Sequence, residues 1–158
     1  FVFSRNSFCF VNSLYNFYVP GMNVRSTDLQ AFIGLKAINK LDDYSKRRRI
    51  NFKKYINLIK NNELELKENK NDFVSSFAIP ILHLKRDDII KELQDNNIEV
   101  RPLIAGNMAN KPMWYNENEI PSLPNCESLD MSGFYIPNHQ DLTHDEILLI
   151  TNIINKYE

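Results

Sequence analysis

Apolar positions spaced three and four apart mark the helices of this chain, and alternating or continuous apolar runs mark its strands. Leu29, Phe32, Ile33 and the stretch from Leu35 to Leu41 give one predicted helix an apolar side. Ser26 or Thr27 can cap its start, and Asp28 suits its first turn. Gly34 in its middle costs about 1 kcal/mol against alanine and predicts close packing with another element. Leu41, Tyr44, Phe52, Tyr55, Ile56 and Ile59 form a second stripe. Arg86–Asn97 reads as an amphipathic helix with Asp87 and Asp88 in its first turn. The last helix opens at the capping box Thr143-His144-Asp145-Glu146 and buries Ile147, Ile150 and Ile154. Strands are predicted at Phe73–Leu82, Ile98–Ile104 and Gly133–Ile136. Residues 61–72 read as a polar connection with a short edge strand at Leu64 and Leu66. Residues 105–132, with Gly106, Pro112, Pro121 and Pro124, read as loop. His83, at a strand edge, is read as structural. The expected class is α+β: a mixed sheet of about three strands, covered by helices at Leu41–Lys60, Arg86–Asn96 and Asp145–Lys156, each element having one apolar side.

Composition adds boundaries to this picture. The chain has 158 residues, 43% of them hydrophobic and 25% charged, which suits one domain or a piece of a larger protein. Its first residue is Phe1 rather than Met, so a piece of a longer product is expected. Seven of the eighteen aromatic residues fall within Phe1–Tyr18, and this run is expected to pack against something absent from the sequence. With 19 basic and 20 acidic residues the net charge is −1, so bulk charge points neither to nucleic acid nor to a membrane surface. The basic run Lys46, Arg47, Arg48, Arg49, Lys53 and Lys54 follows Asp42 and Asp43 by about one helical turn and reads as a salt-bridged, solvated face. Cys9 and Cys126 form no metal-ligand spacing and no disulfide framework, and a reducing cytoplasm is expected. No apolar run approaches the ~20 residues of a membrane span.

No HExxH, CxxC, GxSxG, P-loop or GxGxxG occurs, and His83, His139 and His144 are dispersed. Three segments set Asn, Arg or His beside Gly or Pro, where side chains and backbone amides can face a ligand: Gly21–Asp28, Arg101–Asn107 and Pro137–His139. The first belongs to the stretch PGMNVRSTDLQAFIGLKAINKLDDYSKRR. That stretch resembles a motif of the DegT/DnrJ/EryC1/StrS family, met here by Gly21, Asn23, Arg25, Thr27, Asp28, Gln30, Ala31, Gly34, Leu35, Ile38 and Leu41. IEVRPLIAGN and GFYIPNHQDLT are similar to the C-terminal part of the same family, in the same order. The resemblance covers nearly the whole chain but only the last third or so of a typical member.

That resemblance implies the C-terminal small domain of the fold-type I aminotransferase architecture, from a homodimeric pyridoxal phosphate (PLP) enzyme acting on nucleotide-linked keto-sugars with an amino donor such as glutamate. Residues 1–26 would end a large-domain segment and carry an active-site loop. Residues 27–158 would form the small domain, with a dimer-facing helix. The cofactor lysine and other catalytic residues are expected upstream, which would leave the isolated fragment inactive. By resemblance, Asn23 and Arg25 bind cofactor, with Asn23 reaching the partner's PLP phosphate, and Arg101, Asn107 and His139 border the sugar-nucleotide pocket. The other readings are a salt bridge with a nearby carboxylate such as Glu99 for Arg101, and a turn histidine capping the Pro137–Leu142 loop for His139. The RPLIxGN form at Arg101–Asn107 also resembles the branch of keto-deoxysugar 3-dehydratases, in which a histidine replaces the lysine. An alternative of another class is a stand-alone interaction module with a vestigial site.

Overall fold

A computed structural model describes residues 27–60, 62, 64–114 and 122–157. The expectations for Phe1–Tyr18, Asn23 and Arg25 lie outside them.

Helix α1 (Asp28–Ala37) starts at Thr27. Its hydroxyl accepts the Gln30 N–H at 3.3 Å while the Gln30 side-chain oxygen accepts the Thr27 N–H at 2.9 Å. This capping box satisfies two N–H groups that a helix start otherwise leaves unpaired. A 3₁₀ turn at Ile38–Lys40 leads into α2 (Leu41–Leu58), which buries Asn51, Phe52 and Tyr55. No residue of α1 is buried. No heavy atom lies within 4 Å of the point where a Cβ on Gly34 would sit, so the close packing expected there is not made among the described residues.

Strand β1 covers Ala78–Leu82, not Phe73–Leu82, and no strand forms at Leu64 or Leu66. Helix α3 (Arg86–Asp95) follows and buries Ile89, Ile90 and Leu93. It ends in the turn where Asn97 takes φ 60° and the Ile98 N–H reaches the Leu93 carbonyl at 2.9 Å. Asparagine tolerates this left-handed conformation better than most residues. Strand β2 is only Arg101–Pro102. Pro102 has no N–H to extend the ladder, and Ile104 turns the chain at φ 51°. The 105–132 loop expectation is overturned at its end by helix α4 (Pro124–Ser132). Pro124 occupies its first turn, where a missing N–H costs nothing, so a residue read as a breaker starts a helix. Strand β3 (Gly133–Pro137) and helix α5 (His144–Asn155) complete the fold. The capping box at α5 is formed as expected, with Thr143 and Glu146 bonding each other's backbone N–H groups.

The sheet order is β1-β3-β2, with both pairings antiparallel. The expected mixed sheet is therefore an antiparallel one: β1 and β2 run the same way, but β3 stands between them. Of the three prolines in the sheet, Pro80 and Pro102 sit on edge strands and Pro137 ends the central one, places where a lost donor is tolerated. Asn62 laces the outer side of β1, its amide donating to the Pro80 carbonyl and its oxygen accepting the Leu82 N–H. Alternate strand residues point to opposite faces. Ile79, Ile81, Phe134 and Ile136 face inward and join Phe52 and Tyr55 of α2, Ile89 and Leu93 of α3, and Ile147, Ile150 and Ile154 of α5 in one core. Those three helices cover one face of the sheet. The other face carries Tyr135 and Arg101.

Candidate functional site

The register that places Arg101 opposite Tyr135 puts both side chains on the face that none of the described helices covers. There they line an open pocket of about 380 Å³ together with Phe77, Glu99, Asn138 and His139. Phe77 precedes β1, and its ring meets the Tyr135 ring at 5.7 Å between centroids, tilted by 53°. The Arg101 guanidinium lies on the Glu99 carboxylate, at 2.9 Å from Nε and 2.7 Å from Nη2. His139 sits in the turn after β3. Its Nδ1 is 3.3 Å from the Asp141 backbone nitrogen, and its Nε2 is 3.0 Å from the Gln140 amide nitrogen.

Helix α2 holds that turn in place. Tyr55 donates to the Pro137 carbonyl at 3.0 Å, and the Asn51 amide donates to the His139 carbonyl at 3.0 Å. The Arg48 guanidinium donates to the Gln140 side-chain oxygen. The fully buried Asn138 donates to the carbonyls of Ser76 and Arg48, tying the turn to both β1's approach and α2. Burial, aided by Glu146, pushes the Tyr55 phenol above its ordinary pKa, so it remains a donor across the neutral range. A buried phenol without the Pro137 carbonyl would carry an unmet donor, a cost of about 1–3 kcal/mol. The pocket's His139 end is thus anchored through polar contacts buried on the far side of the loop.

Of the sequence-predicted residues, Arg101 and His139 meet in this pocket. Asn107 does not line it. Asn107 is buried, and its side-chain oxygen accepts the Ala109 N–H at 3.1 Å, capping a short 3₁₀ turn at Met108–Asn110. Gly106, at φ +68°, makes the bend before it. The sequence reading missed Phe77 and Tyr135 as lining residues; it took Glu99 only as a salt-bridge partner for Arg101, and that pair forms. Tyr135 carries a signal that could have found it, because it interrupts the inward pair Phe134 and Ile136. His83 is structural as read, buried, with Nδ1 accepting the Lys85 N–H at 3.0 Å.

The described lining contains no lysine, cysteine or serine. It offers an aromatic wall, a charge-paired carboxylate and guanidinium, and an imidazole, which is the equipment of a binding surface. Among the described residues no group of three or more His, Cys, Asp or Glu could hold a metal ion, and no helix is long and apolar enough to cross a membrane.

Residues 5–155 match the profile of the DegT/DnrJ/EryC1/StrS aminotransferase family. The chain is 24% identical over 148 residues to GDP-4-keto-6-deoxy-D-mannose 3-dehydratase of Escherichia coli O55:H7, covering 89% of this chain and 38% of that protein. It is 29% identical to GDP-perosamine synthase of Escherichia coli O157:H7, covering 88% of this chain and 38% of that protein. Among solved structures, the E. coli 3-dehydratase with bound hydrated PLP superposes with a TM-score of 0.67 at 25% identity, covering 86% of this chain and 37% of that one. A DegT DnrJ EryC1 StrS aminotransferase from Brucella abortus superposes with a TM-score of 0.69 at 22% identity, covering 87% and 37%. The chain spans under two fifths of the length of these curated relatives.

Proposed function

Because the chain belongs to the DegT/DnrJ/EryC1/StrS aminotransferase family, we propose that it is the C-terminal part of a PLP-dependent enzyme transferring an amino group to a nucleotide-linked keto-sugar, in deoxysugar or surface-polysaccharide biosynthesis. The observation that carries this reading is the family match over residues 5–155, which takes in all three segments that set Asn, Arg or His beside Gly or Pro. A second reading, C3 dehydration of a nucleotide-linked keto-deoxysugar, is favoured by the likeness to a 3-dehydratase in both sequence and structure.

Bound PLP would supply an electron sink for a carbanion. The described pocket fits a substrate-side role beside that cofactor, since its lining has no lysine to hold PLP covalently. In this reading residues 1–26 end a large-domain segment, residues 27–158 form the small domain, and the protein works as a cytoplasmic homodimer. Asn23 donates a neutral amide to the cofactor phosphate in the partner subunit, and Arg25 supports it. Arg101 and His139 contact the sugar nucleotide. Asn107, buried behind the Arg101–Asn107 loop, serves by holding that loop's shape.

In the full-length protein Asn23→Ala is expected to weaken PLP about tenfold, one decade per 1.4 kcal/mol, read from cofactor absorbance. Mixing Asn23→Ala subunits with subunits lacking the cofactor-binding lysine or histidine should restore part of the activity, because each mixed dimer then holds one intact site. No recovery with mixed dimers present refutes the cross-subunit role. Product analysis separates the two chemistries: an amino-sugar for transfer, a 3-deoxy keto-sugar for dehydration.

A further inference from the structure

We propose that Arg48, acting through Gln140, fixes the single proton of the His139 imidazole on Nδ1 and caps Nε2, so that the pocket's histidine serves as a hydrogen-bond donor and not as a base.

The chain of contacts starts at Arg48. A guanidinium carries five N–H donors and no acceptor. Its Nε and Nη2 lie 3.3 and 3.0 Å from one atom of the buried Gln140 side-chain amide, so that atom is the carbonyl oxygen. The Gln140 NH₂ group is thereby turned the other way, where it stands 3.0 Å from His139 Nε2. An amide NH₂ only donates. Its favourable partner is a bare Nε2, and a proton on that nitrogen would set donor against donor.

A neutral imidazole has one N–H and one bare nitrogen, and the hydrogen bond made by one nitrogen decides the state of the other. A bare Nε2 therefore puts the proton on Nδ1. Two groups of Asp141 face Nδ1: the backbone N–H at 3.3 Å and the carboxylate Oδ2 at 3.5 Å. The first suits a bare nitrogen and the second a protonated one, so this side of the ring accommodates either form. Asp141 is also exposed, and water can take over its N–H. Gln140 has no such choice, because Arg48 holds its oxygen. The constrained side of the ring decides the tautomer.

With Nε2 capped and Nδ1 protonated, the ring keeps no free lone pair to receive a proton. The meaning of this for a substrate rests on the nucleotide-sugar reading: His139 offers N–H to a ligand oxygen and takes no part in proton transfer. The place of the proton does not rest on that reading. Arg48 and Gln140 are positioning residues, since neither lines the pocket.

The test is ¹H–¹⁵N correlation of the imidazole rings in the full-length protein, ¹⁵N-labelled at histidine, at about pH 8.5, where an ordinary imidazole is neutral. The His139 signals are identified by their loss in His139→Gln. Wild type is expected to hold Nδ1–H over Nε2–H by about tenfold or more. Gln140→Glu keeps a partner for Arg48 but can only accept, so it should put a proton on Nε2. Arg48→Met frees the Gln140 amide to turn its oxygen to the ring and should lower the ratio about tenfold. Arg48→Lys, donor-only like arginine, should keep the wild-type ratio. A mere loss of packing would neither separate lysine from methionine nor protonate Nε2 in Gln140→Glu. Nε2–H as the main wild-type form, a bare Nε2 in Gln140→Glu, an unchanged ratio in Arg48→Met, or the same loss in Arg48→Lys each overturns the proposal. None of these readouts uses a sugar nucleotide, PLP or an amino donor. The enzyme reading stands or falls separately, on cofactor absorbance and product analysis.

Discussion

Gly106 stands at φ +68°, where an L side chain is strained, and a Cβ on it would run into the Asp130 carboxylate. Its N–H donates to the Leu103 carbonyl at 2.8 Å, closing the turn that follows Arg101 and Pro102. The left-handed backbone is the main penalty, and the Asp130 carboxylate, at the end of a flexible side chain, must also swing aside. Gly106→Ala is expected to destabilise the fold by about 1–3 kcal/mol, measured by urea unfolding. Adding Asp130→Ala should recover the steric share and leave the backbone share. Wild-type stability in Gly106→Ala would show that the turn can relax. The same α4 end is held by Arg86, whose buried guanidinium donates Nη1 to the carbonyls of Asp130 and Met131. A cation there also suits the negative end of the helix dipole.

Between elements, the contact that joins α2 to the segment leading into β1 is ionic. Glu68 is largely buried and accepts from Arg49 at 2.6 and 2.9 Å, from Lys53 at 3.0 Å and from the Val74 N–H at 3.0 Å. Arg49 in turn lies over the Phe73 ring, 4.8 Å from its centroid. Four of the six basic residues on α2 are thus occupied within the fold: Arg47 pairs with Asp43, Arg48 bonds Gln140, and Arg49 and Lys53 share Glu68. The partner of Arg49 and Lys53 is Glu68, not Asp42 or Asp43, because the chain returns along α2 after residue 60. The Arg49 hydrogen bonds, the Val74 N–H and Lys53 together pull the Glu68 carboxyl down to about 2 from an ordinary 4.5. A carboxylate with a lowered folded pKa stabilises the fold above its unfolded value. That stabilisation is fully present at pH 7, begins to fade near pH 4.5, and is gone near pH 2. Glu68→Gln should lower the unfolding midpoint at pH 7, and its deficit against wild type should close across that window. A deficit that stays constant from pH 7 to pH 3 would show that the ion pairs contribute nothing. Glu92, bonded to Lys156 and Tyr157, and Glu146, in the α5 capping box, are lowered as well, so wild type should lose stability steeply in acid.

Across the whole molecule, apolar residues fall into two populations. Leu93 and its neighbours in α2, α3, α5 and the sheet are sealed in one core. Leu29, Phe32, Ile33, Leu35, Ile38 and Leu41, along α1 and its 3₁₀ continuation, are 53–72% exposed. An exposed apolar face of this kind marks an interaction surface, and it fits the dimer-facing helix proposed above. The two populations predict opposite mutational responses. Leu93→Ala should cost about 2–5 kcal/mol, the usual range for a buried leucine. Phe32→Ser should change the chain's own stability by no more than about 0.5 kcal/mol. A large loss from Phe32→Ser in urea unfolding would mean that α1 belongs to the chain's core after all.

Helices α2, α3 and α5 were legible in the sequence because their signals are local. The i, i+3 and i+4 stripe and a capping box need only the residues of one or two turns, and the box read at Thr143–Glu146 formed. The motif Gly21–Leu41 and its family were legible for the same reason, being contiguous. Strand limits were not. Phe73–Phe77 has the apolar character of a strand, but a strand exists only where a partner pairs with it, and β3 reaches only Ala78. The place of β3 between β1 and β2, the antiparallel register and the helix hidden behind Pro124 depend on contacts between residues tens of positions apart. The pocket follows the same division. Arg101 and His139 could be singled out from sequence because glycine and proline flank them. Their meeting with Glu99, Phe77 and Tyr135 was decided only by the sheet register, which turns every second side chain of β2 and β3 away from the core and onto one open face.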